Sequence, residues 1–195
     1  MLSLAVVALA TSCPPEPIQK EATMHAIVVY ESHWGCTKAV AHAIAEGIGK
    51  EARALTTDEA TPEVVAGADL IVAGAPVIAF ALPRAGAAAQ LAADTKAPRP
   101  ADVSHPLLRT WLDGIPGGRT RFAAFETRIW WSPRGSTGTI EARLSQAGYR
   151  RIAKAERFVV AGAYGPLREG ELERAREWGA TLKGAIGASR ADSAA

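Results

Sequence analysis

Short runs of apolar and β-branched residues alternate with segments of helical periodicity along most of this sequence. Five such runs predict β-strands, at 25–30, 52–56, 69–74, 121–126 and 157–163. Between and after them, five segments predict helices, at 38–48, 62–66, 107–112, 140–147 and 171–183. Strands that alternate with helices form parallel sheets, because the crossover connections place helices over both faces. The sequence therefore predicts an α/β fold of three layers.

The first helix shows the periodicity most clearly. Val40, Ile44 and Ile48 recur every four residues on one face, and polar side chains take another face. Gly47 and Gly49 are predicted to end this helix. One stretch breaks the alternation, since residues 84–106 are rich in alanine and proline, and we interpret them as a surface insertion near the ligand end of the sheet.

Composition excludes several classes of protein. The chain has 195 residues, of which 48% are apolar, and its 22 basic and 20 acidic side chains give a formal net charge of +2. These values are typical of one globular domain, and a nucleic-acid-binding domain would carry a stronger, clustered positive charge. The longest apolar stretch, at 1–10, is shorter than the ~20 residues that span a bilayer. Two cysteines and four scattered histidines have no metal-ligand spacing, so no metal site is predicted.

The start of the chain has two interpretations. Residues 1–23 are predicted to be an unstructured extension, because Pro14, Pro15 and Pro17 resemble a linker and the first strand begins directly after Met24. This interpretation places the protein in the cytoplasm. The alternative is a weak signal segment that ends at Cys13, which would then carry a lipid anchor, although no basic residue precedes Lys20.

The loop after the first strand is the best candidate for a binding site. In an open parallel sheet, ligands bind beyond the carboxyl ends of the strands. This loop contains Ser32, Gly35 and Thr37, and a helix begins where it ends. Hydroxyl groups, a glycine and the positive end of a helix together suit a phosphate group. The patterns GxxxxGK[ST], GxGxxG and GxSxG are all absent, so nucleoside-triphosphate, dinucleotide and hydrolase interpretations lack support.

These residues resemble the flavodoxin family. Val28-Val29-Tyr30-x-Ser32-x-x-Gly35-x-Thr37-x-x-x-Ala41-x-x-Ile44 fits the flavodoxin signature at every specified position, and the run at 69–77 is similar to the third flavodoxin strand and its loop. The resemblance covers residues 24–184 and leaves 185–195 as a frayed tail. It implies a flavodoxin-like three-layer sandwich with a five-stranded parallel sheet in the order 2-1-3-4-5. Other segments are similar to stand-alone flavodoxin-domain proteins of actinobacterial type, namely 111–112, 124–128, 165–167 and 170–174.

The resemblance implies that FMN is bound without a covalent bond. Flavodoxins hold the FMN phosphate in the first loop and the isoalloxazine ring between the loops after strands three and four. The implied cofactor-binding residues are Ser32, His33, Trp34, Gly35, Cys36 and Thr37, then Ala75, Pro76, Val77, Ile78, Ala79 and Phe80, then Thr127, Arg128 and Trp130. The ring is covered by aromatic side chains in this family, and Phe80, Trp130 and Trp131 are the candidates. Electron transfer through a flavin needs no catalytic acid or nucleophile from the protein.

Three functions remain open at this stage. The first is an FMN-binding electron-transfer flavoprotein with a redox partner protein. The second is an FMN-dependent reductase of a small substrate, such as a quinone or a porphyrinogen. The insertion at 84–106 favours it, and so do Arg128 and Arg134, which make the rim of the site positive where flavodoxins are acidic. The third is a flavin-free interaction module, because Trp34 and Cys36 replace the threonine and asparagine that usually contact the phosphate.

Overall fold

The computed structural model describes residues 24–194, which contain six strands and six helices. The strands are β1 (Ala26–Tyr30), β2 (Ala52–Thr56), β3 (Leu70–Pro76), β4 (Arg121–Ile129), β5 (Arg150–Arg151) and β6 (Glu156–Val160). The helices are α1 (Cys36–Ile48), α2 (Pro62–Ala66), α3 (Ala87–Ala92), α4 (Leu108–Gly114), α5 (Thr137–Gln146) and α6 (Glu171–Ala194). The two interpretations of 1–23, including the lipid anchor at Cys13, lie outside the described residues.

The sheet is parallel, and its strand order confirms the predicted 2-1-3-4-5. β2, β1, β3 and β4 lie side by side, and β6, which is the predicted fifth strand, pairs with Phe125–Ile129 of β4. The sixth strand is the two-residue β5, which pairs with Arg121 and Phe122 at the beginning of β4. β5 and β6 therefore cover the same edge of β4 one after the other.

Successive residues of the central strands point to opposite faces, as the pleat requires. Val28 and Val72 pack on one face against α1 and α6. Val29 and Ile71 pack on the other face in a cluster that includes residues of α2, α4 and α5. Both faces are fully covered, which explains why β1 and β3 are apolar without alternation, and the predicted three-layer α/β fold is confirmed.

Helices α1 and α6 approach each other closely at two glycines. A side chain at Gly47 would collide with the carbonyl oxygen of Arg176, and one at Gly179 would collide with the carbonyl oxygen of Ile44. The prediction that Gly47 ends α1 is wrong, since the helix continues to Ile48 and only Gly49 follows its end. Gly47 is required for helix packing rather than for termination.

The last helix extends beyond its predicted end. α6 runs to Ala194, so most of the segment predicted to be a frayed tail, 185–194, is helical. Ile186 explains the continuation, because its side chain is 1% exposed and packs in the core beneath α1. Alanine-rich sequence supports the helix locally. None of the helices in the part of the chain that the structure describes is both long enough and apolar enough to cross a membrane.

Candidate functional site

A cleft of about 330 Å³ opens at the carboxyl ends of the strands. The loops that follow β1, β3, β4 and β6 line it, together with two residues from the insertion, Leu91 and Asp94. This is the edge at which open α/β sheets bind ligands. The cleft has a polar end at the beginning of α1 and an apolar end between the loops after β3 and β4.

The polar end is formed by the N-terminus of α1. Gly35 is the N-cap residue in the left-handed region, with φ of 91°, and its N–H donates to Oγ of Ser32 over 3.2 Å. No side chain caps this helix end, and its first turn contains no acidic residue. The first N–H groups of a helix have no partner within the helix and form a positive end, so this arrangement favours an anion.

His33 and Glu31 form a buried pair beneath this loop. Nε2 of His33 lies 2.8 Å from Oε1 of Glu31, and Nδ1 lies 2.8 Å from the carbonyl oxygen of Asp102. Burial lowers the pKa of His33, but the hydrogen bonds to Glu31 and to the Asp102 carbonyl raise it, and the net pKa is above its usual value. The other oxygen of Glu31 accepts the backbone N–H of Leu108 over 2.6 Å. The pair therefore ties the loop after β1 to the end of the insertion.

The insertion, 84–106, lies against the same loop, at the end of the sheet where the cleft opens. The backbone N–H of Asp102 donates to the carbonyl oxygen of His33 over 2.8 Å, and Arg99 donates to the carbonyl oxygen of Trp34. The hydroxyl of Tyr164, in the loop after β6, donates to Asp94 over 2.8 Å. Three segments that are distant in the sequence thus meet at the polar end of the cleft.

Trp34 and Cys36 are the two residues that depart from the usual flavodoxin loop. The indole of Trp34 packs edge-on against Tyr164, with ring centroids 4.9 Å apart, and its Nε1 is buried without an acceptor among the described residues. Burial raises the pKa of the Cys36 thiol, and the smaller effects of Arg99 and of a backbone hydrogen bond at Leu167 lower it. A raised pKa favours the neutral thiol, so Cys36 fills space in the loop rather than forming a reactive thiolate.

The apolar end begins at a tight turn after β3. Ile78 and Ala81 exchange backbone hydrogen bonds of 3.0 and 3.1 Å, and the two residues between them, Ala79 and Phe80, have φ of 48° and 62°. Positive φ is strained for residues other than glycine, and such strain is commonly found at functional sites. The turn presents the ring of Phe80, whose centroid lies 5.8 Å from that of Trp131.

Polar residues hold the loop after β4 in place. Glu126 is fully buried, and its carboxylate accepts the backbone N–H groups of Ser136 and Thr137 over 2.6 and 2.9 Å. The same carboxylate lies 3.0 Å from Nη1 of Arg128. The hydroxyls of Thr37 and Thr127 share a hydrogen bond of 2.7 Å. Arg128 is therefore paired with Glu126, which Arg157 also approaches to 3.7 Å, and the hydroxyl of Thr37 is bonded to that of Thr127.

Twelve of the fifteen predicted site residues line the cleft. They are Ser32, His33, Trp34, Cys36, Thr37, Pro76, Val77, Ile78, Ala79, Phe80, Thr127 and Arg128. The other three lie elsewhere: Gly35 borders a neighbouring pocket beside Arg99, Ala75 is buried in β3, and Trp130 is 68% exposed outside the cleft. As cofactor ligands, all fifteen stay predictions.

Ten further residues line the cleft. They are Leu91, Asp94, Ile129, Trp131, Ser132, Val160, Gly162, Ala163, Tyr164 and Gly165. The loop after β6 could have been found from the rule that ligands bind at the carboxyl ends of parallel strands. Trp131 was a candidate for covering a ring, but the sequence alone does not distinguish it from Trp130. No local pattern marks Leu91 and Asp94.

Comparisons with solved structures identify the fold. The chain is similar to a flavodoxin from the domain Archaea, with a TM-score of 0.61 and 18% identity over 84% of this chain and 99% of that one. It is also similar to a flavodoxin variant from Pseudomonas aeruginosa, with a TM-score of 0.58 and 14% identity over 84% of this chain and 99% of that one. A third is a WrbA-like flavodoxin from Agrobacterium tumefaciens, with a TM-score of 0.55 and 20% identity over 84% of this chain and 98% of that one.

Neither a family model nor a curated protein sequence matches the chain. The structural likeness shows that the chain has a flavodoxin-like fold, which confirms the fold that the sequence motif implied. The closer resemblance to stand-alone actinobacterial proteins stays a prediction.

Proposed function

We propose that this chain is an electron-transfer flavoprotein that binds FMN without a covalent bond. The observation that carries the proposal is the division of the cleft into two ends. One end is the uncapped N-terminus of α1, where Cys36 and Thr37 line the cleft, and the other is an apolar slot that contains Ile78, Phe80 and Trp131. FMN has the matching construction, since an anionic phosphate is joined to a flat apolar ring.

The polar end suits a phosphate group. Backbone N–H groups at the beginning of α1 would hold the phosphate, and the glycine at position 35 leaves them accessible. The hydroxyl of Thr37 shares a hydrogen bond with Thr127, whereas Ser32 only accepts from the Gly35 N–H and keeps its own O–H to donate to the phosphate. The buried Nε1 of Trp34 lacks an acceptor among the described residues, and a ligand oxygen would satisfy it.

The apolar end suits a flat ring. Ile78, Phe80 and Trp131 would exclude water from one part of the ring and hold its orientation. When bound, FMN supplies reversible transfer of one or two electrons, and the protein tunes that chemistry by packing, hydrogen bonding and local charge. Arg128 shares the carboxylate of Glu126 with Arg157, whereas Arg134 is exposed and has no carboxylate partner among the residues whose side chains the structure describes.

The second candidate function is an FMN-dependent reductase of a quinone or a porphyrinogen. The aromatic mouth of the cleft favours it, because Trp131 is 54% exposed and Arg134 lies three residues further along the same loop. An exposed ring and a cation together suit a flat substrate that carries oxygen atoms or carboxylates. A redox partner protein is the alternative occupant of the same mouth.

The proposal places the protein in the cytoplasm, which fractionation of cells that express the full chain would test.

Spectroscopy of the purified protein tests both functions. We expect a yellow protein, or a colourless one that quenches the fluorescence of added FMN. Stopped-flow mixing with NADH or NADPH then separates the two candidates, because an electron shuttle is reduced slowly on its own and a reductase rapidly. A colourless preparation that leaves FMN fluorescence unchanged contradicts both, and the flavin-free interaction module that Trp34 and Cys36 suggest would remain.

A further inference from the structure

Arg99 reaches from the insertion to the beginning of α1. Its guanidinium donates to the carbonyl oxygen of Trp34, and its Nη2 would lie 3.1 Å from a Cβ atom placed on Gly35. Arg99, Gly35 and Cys36 border a small pocket beside the main cleft. The guanidinium therefore stands directly over the loop that the proposed function assigns to the FMN phosphate.

Positive groups lie close together at this point, and Asp94, which also lines the cleft, is hydrogen-bonded to Tyr164. The N-terminus of α1 is positive, its first turn has no acidic side chain and includes Lys38, and Arg99 adds a further positive charge. Among the described residues, Arg99 has no carboxylate partner, because its hydrogen bond goes to a backbone carbonyl. Like charges held close together cost free energy, and an anion placed between them would remove that cost.

A second observation in the same loop also indicates that a ligand binds here. Nε1 of Trp34 is a buried donor that has no acceptor among the residues whose side chains the structure describes. Buried donors in native proteins are almost always satisfied, so a donor of this kind is explained by a group that binds there. Trp34 thus carries both an unsatisfied N–H and the carbonyl that holds Arg99.

Contacts on either side of Arg99 in the sequence fix the insertion to the rest of the protein. Before it in the sequence, Asp94 accepts the hydroxyl of Tyr164 over 2.8 Å. After it, the backbone of Asp102 is bonded to His33 both through its N–H and through its carbonyl oxygen, each over 2.8 Å. An arginine whose flanking residues are fixed loses less conformational entropy when it binds a ligand.

We infer that Arg99 recognises the phosphate of the bound flavin and makes this protein select FMN over riboflavin. The inference rests on the proposed function, since it assumes that a flavin occupies the cleft. A lysine is absent from the loop itself, so the cation comes from the insertion, and Arg99 would form charge-assisted hydrogen bonds to the phosphate oxygens.

Titration with two ligands that differ only in the phosphate tests the inference. FMN and riboflavin are added to the wild-type chain and to Arg99→Gln, and the Kd of each is obtained from fluorescence quenching. We expect the substitution to raise the Kd of FMN by about tenfold to a hundredfold, as is typical of a lost charge-assisted hydrogen bond, and to change that of riboflavin by less than about twofold. Arg99→Lys, which keeps the charge, should recover part of the affinity for FMN.

The matched control is Arg84→Gln, because Arg84 is an exposed arginine of the same insertion and does not border either pocket. It should leave both Kd values unchanged. Salt should weaken FMN binding more in the wild type than in Arg99→Gln. Equal loss for both ligands would show that Arg99 only positions the insertion, and unchanged Kd values would show that it has no role; either result overturns the inference but leaves flavin binding intact. A wild-type chain that binds neither ligand overturns the proposed function as well.

Discussion

Nε2 of His33 lies 2.8 Å from Oε1 of Glu31, and both side chains are almost completely buried. The second ring nitrogen, Nδ1, must donate to the carbonyl oxygen of Asp102, because a carbonyl only accepts. When Glu31 is ionised, Nε2 donates as well, so the ring is an imidazolium. A buried ion pair of this kind links the loop after β1 to the insertion and depends on the protonation of one histidine.

The first prediction concerns the pH dependence of stability. Because the pKa of His33 is raised in the folded protein, its contribution is fully present below the usual histidine pKa of about 6.5 and is lost as the pH rises through the folded value. His33→Gln should lower the free energy of unfolding by about 2 kcal/mol at pH 6 and by less at pH 9. Urea unfolding of both proteins at several pH values measures this difference. His25→Gln, at an exposed histidine, is the control, and a difference that grew with pH would contradict the assignment.

The second prediction concerns Glu126. Its fully buried carboxylate accepts the N–H groups of Ser136 and Thr137 at the beginning of α5 and pairs with Arg128. Glu126→Ala leaves those donors unpaired and should lower the free energy of unfolding by about 3–5 kcal/mol, as measured by urea denaturation. Glu141→Ala removes a carboxylate whose partner, Arg151, is exposed, and should cost at most about 1 kcal/mol. Similar losses in the two variants would mean that Glu126 is not a structural support of the site.

Elements that are defined by their own residues can be predicted from this sequence, whereas elements that are placed by contacts with distant residues cannot. β3 is recognised from its sequence because both faces are buried and nearly every residue is apolar. β5 is not, because Arg150 and Arg151 have no apolar pattern and are placed by backbone pairing to β4. Two-residue edge strands of this kind leave no signal in side-chain periodicity.

The same distinction holds for the candidate site. The loop at 32–37 is predictable because a loop that follows the first strand and begins a helix is recognisable locally. The roles of Arg99 and Asp94 are not, since these residues meet Trp34 and Tyr164 across separations of 65 and 70 residues. The hydrogen bond from His33 to the carbonyl of Asp102 is one of the contacts that place the insertion over the loop, and a single sequence does not show which distant carbonyl that histidine contacts.

The third prediction concerns Gly35 in the loop that we propose to hold the FMN phosphate. A valine there would be strained at positive φ and would press against Arg99, so the N–H groups of α1 would become less accessible. Gly35→Val should raise the Kd of FMN by at least about tenfold. Gly86→Val is the matched control, because Gly86 is also an N-cap residue at positive φ, with φ of 87°, and has nothing within 4 Å of its Cβ position. If the two variants bind FMN equally well, the loop does not hold the phosphate.

The fourth prediction separates two adjacent tryptophans. Trp131 lines the cleft and contacts Phe80, whereas Trp130 is 68% exposed and does not reach the cleft. Trp131→Leu removes an aromatic face from the apolar end and should weaken FMN binding about fivefold, because aromatic stacking contributes about 1 kcal/mol beyond the area it buries. Trp130→Leu should leave the Kd within about twofold, although it removes an equally large ring from the neighbouring position. Both values come from the same fluorescence titration. A larger effect at Trp130 would place the flavin ring on the outer side of the loop after β4, and the apolar slot would then belong to a substrate.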